Sequence, residues 1–375
     1  MRRLRQIALK LVVFTLPALI LCWLGAEVVF RWVIPASESP VFRWDPTHAI
    51  VRLDGGPRDG VWTAGSRAQQ RGRWHVNNDG WTSEIDYVPA AQRDPGKPLV
   101  AVIGDSFVAA LEVDSDQTFV AGVRRRLGDR CDVYSFGVDT ATLAQYLQMS
   151  RMVREVYDPD IMVFVVVQND FQYSLTESVP GPYFLSVTPT GDTCVEVPPT
   201  PYRGMGALRG LLRHSALARY LIANIHLDVR AKYWLMRHHV QPVEANVEVG
   251  AVETRRKPIS AAADYIIGTI RRENPDTRIL FMMDAPRLAI YRGTAGDPDS
   301  VVTWLTTMTG QTARRYDCGF LDLTPAFEAA YAADGRHFET QWDGHWDAHG
   351  HEVVAEAVGA RLSEMLDGES GGAAP

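Results

Sequence analysis

Cysteine is scarce in this chain, four among 375 residues, and no two stand as Cys-x-x-Cys. That excludes a disulfide-stapled scaffold, and no Cys/His spacing suggests a zinc site. His-Glu-x-x-His is also missing, so the usual zinc-protease helix is not expected. Positive charge is in the minority: 38 Lys and Arg stand against 45 Asp and Glu, a formal net charge of −7. A nucleic-acid partner is therefore not expected. No internal repeat stands out, and low complexity is confined to Gly368–Pro375. Residues 367–375 accordingly read as a disordered tail. Apart from one N-terminal run, no apolar stretch is long enough to span a bilayer.

That run is informative. Arg2, Arg3, Arg5 and Lys10 precede an uncharged stretch from Leu11 to Ala26, and Val28, Val29 and Phe30 extend it past Glu27. About 20 apolar residues cross a bilayer, and Lys10 and Glu27 can snorkel at its edges. No small-x-small cleavage site follows directly. An uncleaved transmembrane anchor is expected over residues 11–30, with residues 1–10 as a cytoplasmic basic flank and the body exported. Cys131, Cys194 and Cys318 would then meet an oxidising compartment, where one disulfide and one buried thiol are expected. Residues 31–97, rich in Pro, Gly, Trp and charge, read as a linker and an ordered lead-in. Within them, His75-Val-Asn-Asn-Asp-Gly-Trp81 carries a hairpin turn signal. Arg43, Trp44 and Trp74 read as packing and surface contacts.

With 46% hydrophobic residues, the chain can bury a sizeable core. Three buried strands are predicted at Leu99–Ile103, Cys131–Phe136 and Ile161–Val167, closed by Gly104-Asp105-Ser106, Gly137 and Gln168-Asn169-Asp170. Helices fill the intervals. The first carries Asp114-x-x-Gln117 as a capping box, and the second runs from Ala141 to Tyr157. Residues 171–257 break the rhythm and read as an insertion, with a basic amphipathic helical cap at Leu208–Leu227 that includes Arg209, Arg213 and Arg219. The alternation resumes with a helix at Ser260–Arg272, a strand at Arg278–Met283, a helix at Val301–Tyr316, a strand at Gly319–Leu323 and a last helix at Gly350–Leu366. The fold class is α/β: a doubly wound, five-stranded, mostly parallel sheet of flavodoxin-like type, spanning residues 98–366.

In such sheets the chemistry gathers past the carboxyl ends of the strands. Ser106 stands there as a candidate nucleophile. The backbone N–H of Ser106, the N–H of Gly137 and the amide of Asn169 are candidate donors for an oxyanion. A serine needs a base, and the base needs an orienting carboxylate. Gln341-Trp-Asp-Gly-His-Trp-Asp-Ala-His-Gly-His351 offers both. Asp343 stands two residues before His345, and Asp347-x-His349 repeats the spacing, so the residues alone leave two registers open. His345 with Asp343 is the preferred pair, and His351 reads as structural. A metal site on Asp343, His345, Asp347 and His349 is the rival reading and is not preferred, because such ligands usually come from separated positions.

Together Gly104-Asp105-Ser106-Phe107, Gly137, Asn169-Asp170 and Asp343-x-His345 resemble the SGNH/GDSL hydrolase superfamily. More narrowly they resemble a membrane-anchored bacterial branch near the SGNH proteins that acetylate exported polysaccharides. Gln168 departs from the family's usual glycine, and Asp347 from its frequent asparagine. The resemblance implies a serine esterase acting through an acyl-enzyme, with no cofactor and no metal. Its expected substrate is an O-acyl, in particular O-acetyl, ester of an envelope or exported glycan or lipid. The alternatives are an O-acetyltransferase to a polysaccharide hydroxyl, which leaves room for a membrane-bound acetyl-transfer partner, and a non-catalytic glycan-binding protein. The expected place is the bacterial inner membrane, single-pass, with the catalytic domain on the periplasmic side.

Overall fold

Short runs of aliphatic residues, with no polar face to offer water, build the centre of the larger unit. They are β1 (Leu99–Gly104), β2 (Asp132–Gly137), β3 (Ile161–Val166), β4 (Arg278–Met283) and β5 (Gly319–Asp322). In this computed structural model, which describes residues 5, 9–54, 58–191, 193–227, 243–244 and 247–370, the strands form one sheet in the order 2-1-3-4-5. All four pairings are parallel; Gly104 lies opposite Gly137, and Ile103 opposite Phe164. Parallel neighbours need crossovers, and helices supply them.

These helices are α1 (Ser106–Ala109), α2 (Phe119–Leu127), α3 (Leu143–Tyr157), α4 (Arg256–Glu273), α5 (Val301–Arg315) and α6 (Ala348–Ser370). Side chains alternate along each strand, and the two cores divide accordingly. Leu99, Ala101 and Ile103 of β1 join Leu147 of α3, Ile266 of α4 and Leu305 of α5 on one face. Val100 and Val102 join Val123 of α2 and Val358 of α6 on the other. Each such fully buried aliphatic side chain contributes about 1.5–3 kcal/mol. A sheet clad on both faces is thus the outcome of an alternation already present in β1.

Several local expectations change. The Asp114-x-x-Gln117 box does not open α2: Thr118 Oγ1 caps it by accepting from Ala121 N at 3.2 Å. Asp114 instead takes the Arg73 backbone N–H at 2.8 Å and pairs with its guanidinium, a charge-assisted arrangement stronger than a neutral cap. No disulfide forms; all four cysteines are free, and Cys131, Cys194 and Cys318 are buried. Cys131 packs in the core of one face and Cys194 and Cys318 in the other, so each acts as a small apolar side chain. Helix α4 begins at Arg256 and α6 continues to Ser370, beyond their expected bounds. A helix at Thr324–Asp334 and a hairpin of Ser186–Thr190 with Thr193–Val197 were not foreseen. The expected turn after His75 is present, with Gly80 at φ +81° and Val76 bridged to Thr82. Trp74 is buried and Trp44 packs on the core, while Arg43 is exposed.

The chain divides into two units: residues 1–39, 60–72 and 204–238 in one, and residues 40–59, 73–203 and 239–375 in the other. The smaller unit contains the apolar helix Leu11–Val33, whose side chains are not buried. Near its end, Glu27 accepts hydrogen bonds from Ser215 Oγ at 2.9 Å, Ala216 N at 2.7 Å and Leu217 N at 3.1 Å. It thereby caps the helix that starts at Ala216. Phe30 stacks on Tyr220 with ring centroids 3.8 Å apart, and Asn224 accepts from Ser37 N and donates to Thr63 Oγ1. The expected cap segment therefore belongs to this unit, broken at Arg213–Ser215 into two short helices. Leu208 and Leu211 of its first helix are exposed. Arg2 and Arg3 of the basic flank, 228–242 of the insertion and the tail from 371 lie outside the described residues.

Candidate active site

Ser106 is the first residue of α1, directly past β1. Asp105 caps this short helix by accepting from Phe107 N at 2.9 Å. Gly104 serves by its lack of bulk rather than by a left-handed turn: a Cβ there would lie 2.4 Å from Val108 Cγ2 and 3.1 Å from Val165 Cβ. A side chain at Gly104 would push α1 off the strand end and move the serine with it.

The partner arrives on the loop before α6. Asp343 Oδ1 accepts from His345 N at 2.8 Å, a two-residue Asx turn that carries the same carboxylate onto His345 Nδ1 in a short hydrogen bond. The spacing of two is thus what one carboxylate needs to fold the loop and hold the ring. His345 Nε2 then lies 2.8 Å from Ser106 Oγ. Trp346, fully buried, fixes the loop from behind by donating from Nε1 to Asp284 Oδ1 at 3.0 Å. Asp284 follows β4, so the loop is tied to a third strand end. Of the tandem Asp-x-His pairs, Asp343 and His345 lie beside Ser106, and the other pair makes different contacts. Asp347 Oδ1 accepts from Gly350 N at 2.9 Å at the start of α6, and His349 stacks on Phe338. His351 Nδ1 accepts from Phe119 N at 3.1 Å and is buried.

Asn169 lines the same cleft as Ser106 and His345, a space of about 600 Å³. Its Oδ1 is buried without a hydrogen-bond partner. Gly137 ends β2 beside α1, where a Cβ would meet Ala109 N at 2.2 Å. The cleft is lined instead by the turn that follows, Asp139 to Ala141, with Thr140 at φ +63°. Gln168 is fully buried, and its Nε2 donates to Asp284 O at 2.8 Å.

Acids crowd this one imidazole. Burial is the chief cause that raises Asp105, Asp139 and Asp284 above the usual carboxylate range. Asp170 is raised well above it by burial and by Asp105's charge, though Val167 N and Tyr146 Oη donate to it. Glu112 is pushed up by burial to about 7, against the attraction of His345. Burial opposes the charged form of His345 most strongly, but Glu112, Asp343 and Asp105 together outweigh it and raise the ring above its ordinary 6.5. The arrangement favours an imidazolium, the form a base assumes after taking a proton. Burial, with the charges of His345 and Arg287, lowers His351 to about 3 and keeps it neutral.

Glu112, Asp284 and Trp346 were not foreseen as site residues. An acid inside the apolar stretch Phe107–Val113 was the available signal for Glu112. Glu112, Asp343 and His345 place donor atoms within 4.8 Å of one another, the spacing of a small cation site. The hydrogen bond from Nδ1 to Asp343 occupies the position such an ion would need. A metal on Nδ1 would leave the proton on Nε2, which would then donate to Ser106 Oγ rather than accept from it.

No protein-family model and no curated protein matches this sequence. Solved structures similar to it include a carbohydrate acetylesterase family member from Sinorhizobium meliloti, 14% identical, covering 72% of this chain and 99% of that one, with a TM-score of 0.35. A Corynascus thermopiles carbohydrate esterase family 2 enzyme with a carbohydrate binding domain is 16% identical over 78% of this chain and 71% of that one, TM-score 0.35. The M. smegmatis aryl esterase is 10% identical over 71% and 99%, TM-score 0.35. These are distant likenesses.

Proposed function

We propose that the chain is a serine esterase of the SGNH type that deacylates O-acyl esters, in particular O-acetyl esters, of an envelope or exported glycan or lipid. The observation that carries this reading is the line Ser106 Oγ, His345 Nε2, His345 Nδ1, Asp343 Oδ1, joined by hydrogen-bond contacts throughout. Ser106 Oγ attacks the acyl carbonyl carbon as its proton passes to His345 Nε2. The tetrahedral oxyanion is held by Ser106 N–H, by the Asn169 amide and by an N–H from the end of β2, at Gly137 or in the turn at Thr140. Collapse expels the alcohol, which takes the proton from His345, and leaves an acyl-serine. Water, deprotonated by the same ring, then releases the acid. A sugar hydroxyl in place of water would make the same acyl-enzyme a transferase, and a cleft of about 600 Å³ has room for one.

The apolar helix is read as a retained anchor in the inner membrane, with the catalytic unit outside the cytoplasm. Supporting this, Glu27 and Phe30 bind Ala216 and Tyr220 of the same unit, contacts that removal of the segment would forfeit. Turnover of p-nitrophenyl acetate by the full-length protein, beside Ser106→Ala, tests the chemistry; equal rates would refute it. A labelled fluorophosphonate is expected to mark Ser106. The intact mass of the membrane fraction tests the anchor.

A further inference from the structure

Two carboxylates converge on the ring nitrogen that faces away from Ser106. Asp343 Oδ1 is hydrogen-bonded to His345 Nδ1, and Glu112 Oε1 lies 3.5 Å from the same atom. Glu112 is 6% exposed, and its Oε2 is buried without a hydrogen-bond partner. Burying a carboxylate so deeply is costly unless a cation answers it. The groups that face it are His345, Asp343 and Asp139, and of these the imidazole alone can become positive. Local structure delivers the contact: α1 ends at Ala110 in a left-handed conformation, φ +46°, and Glu112 follows two residues later.

We propose that Glu112 is a second orienting carboxylate of His345, a positioning residue that acts on Nδ1 beside Asp343. The inference rests on the reading of His345 as the base of Ser106. Nδ1 carries one proton, and Asp343 accepts it. Glu112 adds negative charge at 3.5 Å and favours the ring cation formed when Ser106 Oγ hands its proton to Nε2. Should Asp343 lose its charge, Glu112 needs to close only about 0.6 Å to accept Nδ1–H at the usual ~2.9 Å. The other titratable groups facing the pair are Asp105 past β1 and Asp139 past β2; His351 on α6 senses the ring but stays neutral. Glu112 itself loses its proton near 7, because of burial, so its charge is present on the alkaline side.

The test measures p-nitrophenyl acetate turnover by the full-length chain in detergent, from about pH 5 to about pH 10. Glu112→Gln is expected to lower kcat about tenfold with KM little changed, and to move the acid limb down by about one pH unit. Glu112→Asp, which keeps the charge, is expected to restore most of that limb. In an Asp343→Asn background, Glu112→Gln is expected to cost a further ~100-fold, more than in the parent, because the last orienting carboxylate is then gone. The same fold-loss in both backgrounds with an unmoved acid limb overturns the proposal. If circular dichroism shows Glu112→Gln unfolded, Glu112→Ala takes its place: a loss larger in the Asp343→Asn background supports the role, and an equal loss overturns it. An active Ser106→Ala overturns the esterase reading and this inference with it. An inactive Ser106→Ala with an unmoved limb overturns this inference alone.

Discussion

His345 Nε2 meets Ser106 Oγ at 2.8 Å across 239 residues of chain. Each residue is set by its own flanks, β1 and α1 around the serine and the Asx turn with Trp346 around the histidine, and the sheet topology brings the two together. The proposed chemistry makes this distance decisive. Ser106→Ala and His345→Ala are each expected to lower ester turnover by about 10⁶-fold. His349→Ala, which changes a ring stacked on Phe338, is expected to keep most of it. Steady-state kinetics on p-nitrophenyl acetate separates these outcomes.

The acid cluster sets the pH dependence. A base must be neutral to accept the serine proton, and Glu112, Asp343 and Asp105 hold His345 above 6.5 against burial. The acid limb of kcat/KM is therefore expected above pH 6.5, giving an alkaline optimum. A limb at or below 6.5 would mean that the cluster is protonated throughout the working range.

Gly137 tests how closely α1 packs on β2. A Cβ would sit 2.2 Å from Ala109 N and 2.6 Å from Val108 C, both backbone atoms that cannot rotate away. Gly137→Ala is expected to cost about 1–3 kcal/mol of stability and to lower activity by shifting Ser106. Thr140→Gly relieves a left-handed residue and is expected to be neutral or stabilising to folding. Thermal unfolding of the two variants provides the comparison.

His351 contributes to acid sensitivity. Its folded value, near 3, lies below the ordinary 6.5 because the ring is buried and neutral, beside the charges of His345 and Arg287. The unfolded chain binds this proton first as pH falls, so the contribution of His351 to stability is full above about 6.5 and declines below it by about 1.4 kcal/mol per pH unit. His351→Gln is expected to flatten the loss of thermal stability between neutral pH and about pH 4. An unchanged slope would assign acid unfolding to other groups.

The sheet was legible because its strands are short aliphatic runs closed by turn residues, and strand ends carry the site in this topology. Asp343 and His345 could be named as a pair, but Asp347 and His349 share their spacing. The two pairs differ only in three dimensions, where the Asx turn and the Trp346–Asp284 hydrogen bond hold the first beside Ser106. Glu112 escaped because its meaning depends on a histidine 233 positions away in sequence. The glycines were legible as strand ends but not for their reason: Gly104 and Gly137 make room for α1 rather than adopt a special φ. The cysteine expectation failed because oxidising surroundings supply opportunity, whereas pairing needs proximity: Cys131 is cut off on the opposite face of the sheet, and Cys194 and Cys318 are each buried as a free thiol on the other.

The wide separation of Ser106 and His345 also has a meaning in time. During synthesis Ser106 emerges early, just past the first strand of the sheet, while His345 is held back until the last loop has been made. A chain interrupted anywhere before residue 345 owns a serine without a partner. The same late segment also supplies α6, whose Val354, Val358 and Leu362 complete the core that α2 enters through Val120 and Val123.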